Sequence, residues 1–117
     1  MAKYEIKDGV GIIPAGVKEI ENEAFKGCTE LTGIAFPKGV KKIGEEAFAG
    51  CTGLVSVAIP KSVNTIDKGA FAGCTALVSL TMEKGLKKIG ESAFKGCNNL
   101  ADFVLPEGLT RIGNYAF

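Results

Sequence analysis

Residues 28–50 read CTELTGIAFPKGVKKIGEEAFAG, and residues 51–73 read CTGLVSVAIPKSVNTIDKGAFAG. Laid over one another, the two stretches agree at Cys, Leu, Pro-Lys, Val, Ile and the closing Ala-Phe-Ala-Gly, at a step of 23 residues. The step holds along the chain. Ala-Phe pairs stand at Ala24-Phe25, Ala47-Phe48, Ala70-Phe71, Ala93-Phe94 and Ala116-Phe117. Gly-Cys pairs end at Cys28, Cys51, Cys74 and Cys97, and Leu31, Leu54, Leu77 and Leu100 follow. Ile20, Ile43, Ile66, Ile89 and Ile112 form another column, as do Pro14, Pro37, Pro60 and Pro106, with Glu83 in the missing place. A fixed period of this length is the mark of a repeat architecture.

Within one unit, Leu31, Ile34 and Phe36 partly alternate, as a strand with one buried face requires, and Pro37 ends it because proline lacks the N–H a ladder needs. Val40 and Ile43 follow at a spacing of three, as a short second strand or an extended rung. Residues 44–50 predict a tight turn or a single helical turn that drops Phe48 inward, with Gly50 left-handed at its end. A unit of this size cannot bury its own apolar edge. Stacked units cover one another, so equal columns become continuous core ladders with strands about 4.8 Å apart. The expected fold is a repeat solenoid of four to five coils, about 23 residues each, with a parallel β-sheet.

The pattern C-x-x-L-x-x-I-x-F-P-x-x-V-x-x-I-G-x-x-A-F, carried by Cys28 to Phe48, closely resembles the BspA-like class of bacterial leucine-rich repeats. It departs from the general leucine-rich repeat, in which Asn or Cys stands where Gly39 stands here; Cys instead precedes the strand. The resemblance covers residues 12–117. It implies a right-handed coil and a secreted or cell-surface protein of bacteria or some protists. It also implies a non-enzymatic module that binds a host matrix protein or another cell-surface protein in adhesion. The alternative is a structural spacer or a self-assembling repeat segment.

The chain is expected to be a single array over residues 1–117, with residues 1–11 a diverged N-terminal segment or partial cap and the last repeat incomplete. Leu109, Ile112 and Phe117 would then lack a covering coil, which leaves an open edge for self-association. The start, Met1 to Asp8, is too charged for the apolar core of a signal peptide, and no apolar run approaches a membrane span. No membrane insertion is expected.

The 117 residues carry 14 basic and 13 acidic side chains, a net charge of +1, which gives no chain-wide pull toward nucleic acid. No aromatic side chains interleave with the cations for base stacking. There is no His, which removes the commonest general base and a common metal ligand. Gly9-Val10-Gly11 lacks the third glycine and following helix of a phosphate cradle. The carboxylates sit mostly in the turn before Ala-Phe and form no converging pair. The cysteines occupy one place in successive coils, a geometry poor for disulfides and suited to a buried thiol ladder; pairing or metal binding are the alternatives. No enzyme activity, cofactor or metal is expected.

Two surfaces remain as binding candidates. The exposed face of the main sheet is lined by three columns: Thr32, Val55, Val78 and Ala101; Gly33, Ser56, Ser79 and Asp102; and Ala35, Ala58, Thr81 and Val104. It is smooth, with no aromatic or Arg anchor, so it suits a flat partner; Val55 with Val78 offers a seed for face-to-face dimerisation. Lys38, Lys61 and Lys84 form a basic strip along one edge, with Lys41, Lys42, Lys87 and Lys88 nearby. The strip reads as a site for anionic glycans or acidic partners, or as a solvated edge that discourages sheet association.

Overall fold

The computed structural model describes residues 3–101 and 103–117. Ten short strands follow one another: β1 (Glu5–Lys7), β2 (Val10–Ile12), β3 (Glu19–Ile20), β4 (Gly33–Ala35), β5 (Lys42–Ile43), β6 (Ser56–Ile59), β7 (Thr65–Ile66), β8 (Ser79–Met82), β9 (Lys88–Ile89) and β10 (Arg111–Ile112). No helix occurs among the described residues, so none is long and apolar enough to cross a membrane. The chain winds as a β-solenoid whose coils repeat every 23 residues: Ser56 lies beside Ser79, and Lys42 beside Thr65.

Each coil has three sides, and each side is a backbone ladder. On the first, β2 pairs with β4 and β6 with β8, all parallel. On the second, the Ile column forms the longest sheet, in the order β10-β9-β7-β5-β3. The rung expected around Val40 and Ile43 is therefore a true strand, two residues long, repeated five times. On the third side the residues before and after Ala-Phe form turns whose amides reach into the next coil. Phe25, Phe48 and Phe71 N–H groups donate to Ala47, Ala70 and Ala93 carbonyls, each at 2.7 Å. The turn is not a helix, because its amides alternate: Ala47 and Ala49 donate three residues back to Gly44 and Glu46, while Glu46, Phe48 and Gly50 donate to the next coil.

One turn position is left-handed in every coil: Glu23, Glu46, Gly69, Ser92 and Tyr115 have φ between 55° and 64°. Only Gly69 meets this without a Cβ penalty. The glycine before each cysteine is left-handed too, as at Gly50 with φ 73°, which meets the expectation for the end of the turn.

The interior is a set of one-residue-wide stacks. Phe48 and Phe71 rings lie 5.0 Å apart at 6°, and Phe71 and Phe94 lie 5.2 Å apart at 2°. Tyr4 closes the N-terminal end of this stack on Phe25 at 5.7 Å. Stacked pairs add about 0.5–1.5 kcal/mol beyond the area they bury. Leu31, Leu54 and Leu77, Ile43, Ile66 and Ile89, and Val40, Val63 and Leu86 form parallel buried columns. Among the described residues no polar or charged residue is buried.

Three departures from the regular plan matter. First, Asp8 and Gly9, both with positive φ, turn β1 back antiparallel onto β2, so the first coil is edged by a hairpin. Second, the first side is not one sheet. It is split between β4 and β6 into a three-stranded and a two-stranded piece. The split coincides with Phe36, which is larger than Ile59 and Met82 of the same column and meets Phe48 edge-on at 6.2 Å and 76°. Third, Phe103 and Leu105, where a fifth alternating strand is expected, form none. Phe103 instead stacks on Phe117 at 4.7 Å.

Candidate binding surfaces

The outward residues of β6 and β8 are Ser56 and Ala58 beside Ser79 and Thr81, all exposed. Alternation puts Val57, Ile59, Leu80 and Met82 into the core in exchange. Val55 and Val78 precede these strands and stand 45% and 50% exposed. Val78 N–H donates to the Val55 carbonyl at 2.9 Å, and Val55 N–H to the Thr32 carbonyl at 3.2 Å, so these three stack in register. Gly33 and Ala35 continue the surface on β4, beyond the split. Ile12, which pairs with Ala35, adds a 38% exposed side chain that the column reading passed over. Its signal was the same 23-residue step, counted back one coil from Ala35. Ala101 and Val104 are exposed but lie off any strand, and Asp102 lies outside the described residues.

The surface ends at β8. In a parallel ladder alternate residues bond the same neighbour. Ser79 and Glu83 amides donate to the Val55 and Ile59 carbonyls. Leu80 and Met82 therefore turn their backbone groups to the other edge, where no strand pairs among the described residues. Against that edge lies a groove of about 550 Å³ lined by Leu80, Thr81, Met82, Ala101, Phe103 and Val104. Val104 is 80% exposed at its rim. A strand edge with no partner among the described residues, beside an apolar wall, is equipped to accept one more extended segment.

The cysteines form a ladder of donors. Cys51 Sγ donates to the Phe25 carbonyl at 3.1 Å, Cys74 to Phe48 and Cys97 to Phe71 at 3.2 Å each. None is in a disulfide. Burial pushes the Cys51 thiol up to about 12, and contact with the Cys97 thiol together with burial pushes Cys74 up as well. Cys51 and Cys74 are neutral thiols that give a second donor to carbonyls already accepting the Cys28 and Cys51 amides, whereas contact with the Cys74 thiol holds Cys97 below its ordinary value. Among the described residues, no group of three His, Cys, Asp or Glu side chains converges as a metal site would require.

Charge is segregated. Glu21, Glu23 and Glu46 lie on the turn side and bridge Lys3 and Lys26. Lys38, Lys61 and Lys84 are exposed in the loops leading to the second sheet, well away from those acids in the coil.

Residues 11–117 match the family described as the BspA type leucine rich repeat region, in six copies. The fold is similar to that of a leucine rich repeat protein of T. pallidum (38% identity, TM-score 0.76), over 86% of this chain and 47% of that one. It is similar to a leucine-rich repeat protein from Bacteroides ovatus (41% identity, TM-score 0.81), over 92% of this chain and 30% of that one. A leucine rich cell surface protein from Faecalibacterium prausnitzii matches with 30% identity and TM-score 0.68, over 87% of this chain and 33% of that one. The chain thus spans less than half the length of each. No functionally curated protein matches.

Proposed function

The chain belongs to the BspA-type leucine-rich-repeat family, and from that premise we propose that it is a non-enzymatic protein-binding module of a bacterial surface or secreted protein, acting in adhesion. The observation that carries this reading is the edge of β8 that pairs with no strand among the described residues, beside its apolar groove and continuous with the exposed Ser56–Thr81 surface. An extended segment of a matrix or cell-surface protein adds to β8 by backbone hydrogen bonds. Its side chains enter the groove over Met82 and Phe103, and Val55 and Val78 supply the apolar margin. Backbone pairing explains how a face without Trp, Tyr or Arg anchors binds at all. The cell-surface description of the Faecalibacterium prausnitzii neighbour supports the location.

The test is biolayer interferometry against a panel of extracellular-matrix proteins, with the wild type beside Val78→Asp/Thr81→Asp. Binding by the wild type and at least about tenfold weakening in the variant are expected, since charges there meet an apolar partner. Wild-type binding unaffected by the variant would contradict the assignment to β8.

The second reading, a spacer or self-assembling segment, draws on Leu105, Ile112 and Phe117, which stand 42%, 47% and 47% exposed at the last coil. Light scattering over a range of concentrations separates the two. A strict monomer that binds matrix protein excludes the spacer, and growing assemblies without matrix binding favour it.

A further inference from the structure

The chain-wide charge of +1 conceals a strongly basic side. The loops and strands of the second sheet carry Lys18, Lys38, Lys41, Lys42, Lys61, Lys84, Lys87, Lys88 and Arg111 against Glu19, Glu83, Glu107 and, paired with Lys42 at the end of β7, Asp67. Nine cations and four acids share this side, while the rest of the chain holds five cations and nine acids. The register fixes their alignment: Lys42, Thr65, Lys88 and Arg111 are direct neighbours across β5, β7, β9 and β10. One residue earlier, backbone hydrogen bonds link Lys18, Lys41, Asn64, Lys87 and Thr110 in a continuous rung-to-rung chain. Two glycines of the column after Lys38 and Glu107 make room for ammonium groups from the preceding coil. A Cβ on Gly39 would stand 3.1 Å from Lys18 Nζ, and one on Gly108 would stand 3.3 Å from Lys87 Nζ. The glycine gap lets an ammonium group of one coil lie against the backbone of the next. Among the described residues only Lys42 of these nine is in an ion pair, with Asp67 at 3.4 Å.

We propose that this side is a second binding surface, for a linear sulfated polysaccharide lying along the solenoid axis. Two features select that chemistry. The cations recur along the axis in steps of about 4.8 Å, so an extended polyanion meets a cation in most coils. The outward columns of this side hold Lys, Arg, Glu, Asn, Thr, Ser, Ala, Gly and Pro, and Ile112 is exposed only at the last coil, so no aromatic or continuous apolar anchor runs along the axis for a protein hot spot or for stacked bases. Lysines are strongly hydrated point charges, suited to sulfate groups that keep their own water. Binding draws on release of condensed counterions and weakens steeply with salt. This surface lies on a different side of the coil from the β8 edge and does not depend on it.

The experiment is a fluorescence-anisotropy titration with a labelled heparin hexadecasaccharide, in competition with poly-glutamate and with a short DNA duplex, at low and at physiological ionic strength. Lys41→Ala/Lys87→Ala/Lys88→Ala removes exposed ammonium groups and leaves the backbone rungs in place. Lys68→Ala/Lys95→Ala removes the same kind of charge from the turn side. Circular dichroism melts certify that both variants fold. The expected result is at least about tenfold weaker heparin binding in the triple variant and unchanged binding in the double variant. Equal loss in both variants, or no heparin binding by the wild type at low salt, overturns the proposal. Stronger competition by poly-glutamate reassigns the surface to an acidic protein, and stronger competition by the duplex reassigns it to nucleic acid; either result overturns it.

Discussion

The third coil and the last coil are written in nearly the same letters and live in different environments. Phe71 and Ile66 are fully buried, each held between an equivalent residue above and below. Phe117 and Ile112 occupy the same columns and are each 47% exposed. β6 and β8 pair over four residues, whereas the corresponding stretch through Phe103 and Leu105 forms no strand. In a solenoid a residue's environment is set by the neighbouring coils, so one sequence column spans core and surface. The first coil is finished differently from the last: the Glu5–Ile12 hairpin edges it and Tyr4 covers Phe25.

The sharpest way to break the comparison is to delete the same ring in both places. Phe71→Ala removes a ring stacked on both faces and should cost about 3–5 kcal/mol in urea unfolding. Phe117→Ala, half in water already, should cost about 1 kcal/mol or less. Equal losses would mean that the coils do not shield one another. A smaller contrast lies within the left-handed turn column. Gly69→Ala, at φ 64°, should lose about 1–2 kcal/mol, because it gains a Cβ that the conformation penalises. Ser92→Gly at φ 58° should recover up to about 1 kcal/mol of strain, partly offset by the freedom glycine adds to the unfolded chain. A loss in Ser92→Gly would show that Ser92 carries no strain to recover.

The smallest effect concerns the thiols. The buried Cys51 thiol is raised from 9.0 to about 12, chiefly by burial, so the folded chain holds its proton longer than the unfolded chain does. The stabilisation is complete below pH 9.0 and is lost as pH rises toward about 12. Urea midpoints should therefore fall over that window, and Cys51→Ala, though less stable at neutral pH, should show a shallower fall. An unchanged pH profile in the variant would remove Cys51 from the account.

The period alone carried most of the fold. The Phe, Leu, Ile and Cys columns lie in the stacks that a step of 23 residues demands, and the exposed columns through Val55, Val78 and Thr81 are exposed. The hairpin lies in the segment expected only as a diverged stretch or partial cap; its signal is Asp8-Gly9, a dipeptide that suits a two-residue turn with positive φ at both positions. What a repeat cannot state is where it breaks. The split between β4 and β6, and the absence of a strand at Phe103, depend on the sizes of Phe36, Ile59 and Phe117 and on how rings in different columns meet. The groove beside β8 is a product of that break, so no motif announces it. The basic side was only partly legible. The Lys38, Lys61 and Lys84 column is visible in the alignment, whereas the approach of Lys18 to Gly39 and of Lys87 to Gly108 follows from the stacking of the coils and is written in no column.

Residue-resolved amide hydrogen exchange tests the open edge most directly, because each strand residue of β8 faces one edge only. Ser79 and Thr81 amides, turned toward β6, should exchange slowly, and Phe48 and Phe71 amides, held at 2.7 Å in the turn ladder, should be slow as well. Leu80 and Met82 amides should exchange far faster although their side chains are buried. Protection at Leu80 and Met82 equal to that at Phe71 would mean that β8 is already paired, and the proposed docking edge would not exist.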